Sequence, residues 1–480
     1  MNAGRGVPIA AGNVESAASI AGLSKSGPQN RLSRAAGAAA PSGGSAAHEV
    51  ASVKATLLLG CIADDFTGAT DLANNLVRAG MRVVQAIGVP GQPLDTQADA
   101  VVVALKSRTL PVDEAIAQSL DALRWLQAHG AQQIYFKYCS TFDSTAHGNI
   151  GPVTEALMEA LGSDFTIATP AFPDNQRTVF KGHLFVGDAL LNESGMQNHP
   201  LTPMTDANLV RVLQAQCSRK VGLIDYKVVA QGEVAIRDRI EQLRADGVGV
   251  AVVDAISNDD LMRLGPALKS MPLVTAGSGV AIGLPANFGI TPSSTASVLP
   301  VAIGLQAVVS GSCSLATNRQ VQAFIQTGRP ALALDPLKIA AAQAVGKDIV
   351  AETLAWAEPL LVQGPVLIYS SADANAVRSV QDTLGVEAAG ALVEQALAAI
   401  ARGLVAHGVR QLVVAGGETS GACVNALNIT QMKIGPQIDP GVPWCHAQTD
   451  AAGIDGLHLT LKSGNFGTDD FFSKAFTRLA

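Results

Sequence analysis

Residues 56–76 read TLLLGCIADDFTGATDLANNL. An uncharged apolar run, Thr56–Ile62, gives way after Ala63 to two adjacent carboxylates, Asp64 and Asp65. Phe66-Thr67-Gly68-Ala69-Thr70-Asp71 follows, with a hydroxyl and a glycine suited to a helix start. A continuous apolar strand running straight into a helix is the repeating unit of a parallel sheet covered on both faces. Outward from this stretch the unit recurs. Apolar runs stand at Arg82–Val89, Ala100–Leu105, Gln133–Lys137, Phe165–Thr169 and Val248–Ala255. Between them, Asp113–His129 sets Ile116, Leu120, Leu123 and Leu126 on one helical face. Past residue 300, Ala307–Ser310, Val366–Tyr369 and Gln411–Ala415 read as buried strands and Val393–His407 as a helix. The expected class is α/β: two α/β domains with largely parallel sheets and a cleft between them.

The chain has 480 residues, enough for two large domains once its start is set aside. Residues 1–50 hold 13 Ala, 8 Gly and 7 Ser and no aromatic residue. Residues 1–52 therefore read as a disordered extension; an organelle transit peptide is the rival, without the amphipathic stripe it would need. A second break falls at LPANFGITPSSTASVLPVAI, uncharged and rich in Pro, Ser and Thr. The expected layout is an N-terminal domain over 53–283, a linker over 284–303 and a C-terminal domain over 304–480. Lys and Arg total 33 against 40 Asp and Glu, a net charge of −7 without a basic stripe, which argues against nucleic acid. The uncharged stretch Val280–Asn318 is broken by three prolines, so no membrane span is expected. Six scattered cysteines form no CxxC pair and suit free thiols in a reducing cytoplasm.

In parallel sheets, ligands bind where strands end. After the third run come Lys106-Ser107-Arg108-Thr109, and after the fourth Lys137-Tyr138-Cys139-Ser140-Thr141-Phe142-Asp143. Arg177 follows in an irregular segment. An isolated Asp pair is ordinarily one helix cap and one solvated charge. Asp64 and Asp65 with Thr67, Arg108, Lys137, Ser140, Thr141, Asp143 and Arg177 instead suit a small, anionic, polyhydroxylated ligand. The C-terminal half carries three Gly/Ser/Thr loops: Ser310-Gly311-Ser312, Gly416-Gly417-Glu418-Thr419 and Lys462-Ser463-Gly464. Backbone N–H groups at such helix starts favour phosphate, so these loops point to a nucleotide. There is no GxxxxGK[ST], and the third glycine after Gly277 and Gly279 falls at Gly283, one residue late for a dinucleotide fingerprint.

The blocks ADDFTGATDLANNL, ALKSRT, FKYCSTFDSTAHGNIGPV, PAFPDNQRTVFKGHLFV, VVSGSCSLATNRQ, AGGETSGA, IGPQIDPGVPW and LKSGNFG resemble the four-carbon acid sugar kinases, from about Thr56 to Phe476. CSTFDST…GNIGPV is most similar to the branch acting on 3-oxo-tetronate, with His147 where other branches carry a basic residue. The resemblance implies a sugar-acid-binding N-terminal domain and an ATP-binding C-terminal domain. The implied reaction is ATP-dependent phosphorylation of the C4 hydroxyl of 3-oxo-tetronate; D-threonate and D-erythronate are alternative acceptors. It implies nucleotide contacts at Ser310, Ser312, Gly416, Gly417, Glu418, Thr419 and Gly464. Mg²⁺ would ride on the phosphates, with Glu418 as candidate ligand ahead of Asp439. Asp65 or Asp64 would take the hydroxyl proton, and Arg108 or Lys137 would meet the sugar-acid carboxylate. The partners are the acid sugar and ATP, with a homo-oligomer admitted. An NAD-dependent dehydrogenase and a non-catalytic sugar-acid sensor are the rival classes.

Overall fold

Strand β1 (Leu59–Ala63) is buried at every position, as its unbroken apolar run requires. The computed structural model describes residues 57–91, 97–198, 202–372, 374–449 and 456–479; the expected extension at 1–52 lies outside them. Helix Phe66–Arg78 starts immediately after β1, with Asp65 as its cap. The N-terminal half continues with β2 (Val83–Ile87), β3 (Ala100–Ala104), β4 (Gln133–Lys137) and β5 (Thr166–Thr169). A small antiparallel sheet follows, of β6 (Arg177–Phe180), β7 (His183–Val186) and β8 (Ala189–Leu190). The half closes with β9 (Lys220–Ile224), β10 (Val248–Val253) and β11 (Leu273–Ala276).

Residues 284–303 carry only short 3₁₀ turns, Pro285–Phe288 and Ser294–Ser297. The C-terminal half contains β12 (Leu305–Ser310), β13 (Ala331–Ala333), β14 (Val366–Tyr369) and β15 (Val409–Ala415). It ends with β16 (Ile429–Asp439), β17 (Val442–Thr449) and β18 (Leu457–Lys462).

One sheet of fifteen strands joins both halves, in the order β13-β14-β12-β15-β18-β17-β16-β2-β3-β1-β4-β11-β5-β10-β9. The sequence suggests a separate sheet for each domain; the long hairpin β16–β17 joins them instead. β16 pairs antiparallel with β2, Met432 opposite Gln85. Three antiparallel steps, β2–β16, β16–β17 and β17–β18, separate two blocks of parallel strands.

Period-2 alternation places the core on both faces of the C-terminal strands. Ala307, Val309, Val366, Ile368, Leu412 and Val414 pack into the main core, while Val308, Leu367 and Val413 face a second, aromatic cluster around Phe324, Trp444 and Phe471. Helix Val386–Ala406 is long and apolar enough to cross a membrane by length and composition. Here it packs against β12 and β15, burying Leu397, Ile400, Ala401 and Leu404.

Candidate active site

The carboxyl ends of three neighbouring strands, β3, β1 and β4, supply one group of charges. Asp65 caps helix Phe66–Arg78: its Oδ1 accepts from the Gly68 N–H at 2.9 Å and its Oδ2 from the Thr67 hydroxyl at 2.8 Å. Arg108 donates through Nε and Nη2 to the two oxygens of Asp64, each at 2.8 Å, and from Nη2 to Asp65 Oδ1 at 2.7 Å. Its Nη1 lies 3.9 Å from Asp143. Lys137, buried at the end of β4, stands 3.9 Å from Asp65. Burial pushes the Asp65 carboxyl up, but the Arg108 and Lys137 charges and the Thr67 and Gly68 donors outweigh it and hold the group below the usual carboxylate range. Asp65 is therefore ionised at neutral pH.

Arg177, at the start of β6, differs from Arg108. Among the described residues it has no carboxylate partner. Its guanidinium lies 5.9 Å from the centre of the Phe466 ring, donates to the Asn175 carbonyl and leaves Nε unpartnered. Burial pushes its pKa down, against the pull of Cys139, Asp71 and Asp143. A half-buried guanidinium with an open donor suits an anion.

β12, β15 and β18, also neighbours, supply the second group. Helix Gly417–Ala426 opens on Gly416, which has φ of 119° and offers no side-chain cap, so its first N–H groups face outward. A side chain at Gly416 would also press on Thr419 Oγ1 and the Ser312 backbone N. The loop after β18 is tied to that after β12: Ser314 Oγ and Thr317 Oγ1 donate to the Gly464 carbonyl at 2.6 and 2.9 Å. Beneath both, the buried Lys462 ammonium donates to Thr317 Oγ1 and to the carbonyls of Ser463, Gly464 and Phe466, at 3.0–3.2 Å.

Two cavities lie over these loops. The first, about 300 Å³, is lined from both halves of the chain: by Asp64, Asp65, Thr67, Lys106, Arg108, Lys137, Ser140, Thr141, Asp143 and Arg177, and by Gly417, Glu418, Gly464 and Phe466. The second, about 670 Å³, is mainly apolar, with Leu334, Pro336, Tyr369, Val386 and Val393 in its wall and Gly311, Glu418 and Thr419 at one end. Glu418 borders both.

Every sugar-side candidate named from the sequence thus reaches the first cavity. Gly417, Glu418 and Gly464 join them there, and Thr419 lines the second. Ser310, Ser312 and Gly416 line neither cavity. The Ser310 hydroxyl is 2.8 Å from that of Ser371, which lines the second cavity. Asp439 lines neither cavity; it accepts from Thr468 and pairs with Lys474. His147 is exposed and away from both. Gly277 and Gly279 touch the carbonyls of Pro170 and Ala171, so these glycines serve close backbone packing.

Four contributors were not singled out as site residues from the sequence. Phe466 stacks beneath Arg177. Lys462 is the last residue of a buried apolar strand, a placement that itself marks a lysine with a task. Asp71 lies one turn after Thr67 and also lines the first cavity. Burial lifts its carboxyl to about 6 against the pull of the Lys137 charge. Lys106 pairs with Glu418 at 2.6 Å.

Comparison with known proteins fits this division. Residues 59–284 match a family model described as a sugar-binding N-terminal domain, and residues 307–472 one described as a nucleotide-binding C-terminal domain. The chain belongs to the four-carbon acid sugar kinase family. A 3-oxo-tetronate kinase of Pseudomonas fluorescens is 59% identical over 428 residues, 88% of this chain and 97% of its own length. One from Burkholderia multivorans is 58% identical over 426 residues, 88% and 97% of the two chains. Among solved structures, a Salmonella typhimurium LT2 protein, 43% identical, superposes with a TM-score of 0.75 over 88% of this chain and 99% of its own. A Haemophilus influenzae protein, 44% identical, does so with a TM-score of 0.69 over 88% and 100%. This kinase therefore aligns with these relatives over nearly their whole length.

Proposed function

We propose that this kinase transfers the γ-phosphoryl group of ATP to the C4 hydroxyl of 3-oxo-tetronate, giving the 4-phosphate. One observation carries the reading: a small, charged cavity and a larger, apolar cavity meet at Glu418, beside an uncapped helix N-terminus. The apolar cavity suits adenosine. The helix start at Gly417 suits the phosphates. The charged cavity suits a compact sugar acid.

Within it, Arg177 receives the substrate carboxylate, because Arg108 is already held by Asp64 and Asp65. Ser140, Thr141 and Thr67 offer hydroxyls to the remaining oxygens. Asp65 or Asp64 accepts the proton of the C4 hydroxyl. Phosphoryl transfer is chiefly positioning and charge neutralisation, so an ionised acceptor and fixed cations are the parts required.

Mg²⁺ bound to nucleotide phosphates needs one or two protein carboxylates. Glu418 fits, and Glu394, in the wall of the second cavity, is close enough that the Glu418 charge, after burial itself, raises its carboxyl. These two would hold the ion, which supplies neutralisation of phosphate charge. The free state of all six cysteines supports a reducing cytoplasm as the setting. The division into domains at 53–283 and 304–480 is retained, with residues 284–303 as the connection. The deciding experiment is a coupled ADP-release assay over 3-oxo-tetronate, D-threonate, D-erythronate and their stereoisomers. ADP release fastest with the 3-oxo acid supports the proposal; a faster reaction with an unoxidised acid overturns the substrate assignment.

A further inference from the structure

The first cavity is lined by four cations, and three of them, Arg108, Lys137 and Arg177, have no carboxylate partner from the nucleotide half among the described residues. Arg108 is held by two aspartates, Lys137 is buried against Asp65, and Arg177 covers Phe466. Lys106 is the exception. It follows β3, on the sugar-acid half, yet its Nζ lies 2.6 Å from Glu418, in the nucleotide half. Glu418 is the residue shared by the two cavities. Lys106 therefore stands at the passage through which a phosphoryl group must move.

We infer that Lys106 is a catalytic residue of this kinase, leaving Glu418 when ATP enters and binding the γ-phosphoryl oxygens during transfer. The inference rests on the function proposed above and deepens it. Both side chains are more than half exposed, and an ion pair of that kind is worth little. A triphosphate offers the ammonium a stronger partner. In the step, the bond from the γ-phosphorus to the β,γ-bridging oxygen breaks and ADP leaves with that oxygen. A bond from the C4 oxygen to phosphorus forms, and the hydroxyl proton passes to an aspartate. Lys106 forms no covalent bond; it neutralises charge on the equatorial oxygens in passage.

The test uses the full chain and three proteins: parent, Lys106→Met and Lys106→Arg. Steady-state rates are measured with ATP and 3-oxo-tetronate, and affinities for ADP and for a non-hydrolysable ATP analogue. The expectation for Lys106→Met is a kcat lower by ~10²–10³-fold, the range for a lost transition-state donor, with KM for the acid within about threefold. The parent's preference for the triphosphate analogue over ADP should disappear. Lys106→Arg should recover part of both. A Lys106→Met protein with parental kcat overturns the assignment. So does one whose kcat falls while the nucleotide preference stays parental, because a merely structural pair would behave that way. A parent inert on every four-carbon acid sugar overturns the functional reading itself, and the Lys106 assignment with it; that outcome is read from the parent alone.

Discussion

The Nζ of Lys462 lies 3.0 Å from the carbonyl oxygen of Gly464, inside a side chain with no exposure at all. Burial pushes this ammonium down to about 7, and its four oxygen partners supply the compensation that keeps it bound. Each partner has another neighbour. Gly464 O also accepts from Ser314 and Thr317, and Phe466 O from Gln320. Lys462→Met should therefore fold, losing about 1–3 kcal/mol, the cost of leaving buried acceptors under-satisfied. Its loop would lose the central tie that places Gly464. The expected result is a KM for ATP raised ~10-fold, about 1.4 kcal/mol, with the KM for the acid nearly unchanged. Urea unfolding and nucleotide titration measure the two effects separately.

Asp71 offers a pH test. Its folded pKa, about 6, lies above the ordinary 3.8, so between those values the folded chain binds more protons than the unfolded chain. Stability contributed by this group falls as pH rises through that window, and the penalty is complete above it. Asp71→Asn removes the titration. Relative to the parent, the variant should gain stability from about pH 4 to pH 6 and then level off, by up to about 3 kcal/mol. Urea unfolding of both proteins at intervals between pH 4 and 8 checks this; a constant difference across the range would refute it.

How much of this was legible in the sequence depends on the kind of strand. β1, β3, β4, β12, β14 and β15 are mostly apolar, largely buried runs, and their positions and the loops after them could be read directly. β16 could not. Its residues Gln431, Lys433 and Gln437 look like loop, because its partner β2 lies far back in the sequence. The consequence is visible at Asn74, whose Nδ2 donates to Gln437 Oε1 at 2.7 Å across 363 positions. The same long-range pairing explains the site. Loop composition pointed to sugar acid in one half and nucleotide in the other. That Lys106 of one half touches Glu418 of the other follows only from how the halves pack. Arg177 is proposed for the substrate carboxylate, in place of Arg108 or Lys137, because sequence cannot show which cations already face aspartates.

Gly417 faces open space. A Cβ there would meet nothing nearer than Thr67 Oγ1, at 4.0 Å. Gly417→Val should therefore leave thermal stability within a degree or two while filling the space above the helix N-terminus, where phosphates need backbone N–H groups. The expected outcome is a KM for ATP raised ~10-fold or more, with acid affinity retained. Differential scanning fluorimetry with and without ATP reads both. An unchanged KM would remove this loop from the nucleotide site.

The matched domains span residues 59–284 and 307–472. A chain beginning at Val53 keeps all of both. It should phosphorylate the acid at the parental rate and melt at the parental temperature. A large loss of either would assign residues 1–52 a part in folding or catalysis.

The adjacent aspartates should separate in their effects. Asp65 is the helix cap, accepts from Thr67 and Gly68, and is held ionised by Arg108 and Lys137. Asp64 takes the two-pronged grip of Arg108. In phosphoryl transfer through a loose transition state the proton leaves late, so an acceptor with a low pKa still serves. Asp65→Asn should lower kcat by ~10²–10⁴-fold, the range for removal of a general base, while ATP binding survives. It should also cost some stability, because Asn keeps the cap oxygen but gives up the charge that faces Arg108 and Lys137. Asp64→Asn should instead loosen Arg108 and raise the KM for the acid, with a smaller change in kcat. Single-turnover measurements with saturating ATP separate the two, since they isolate the chemical step from binding. The reverse pattern would make Asp64 the proton acceptor. Parental rates in both variants would move that role to Asp143, 3.9 Å from Arg108 on the opposite side of the guanidinium.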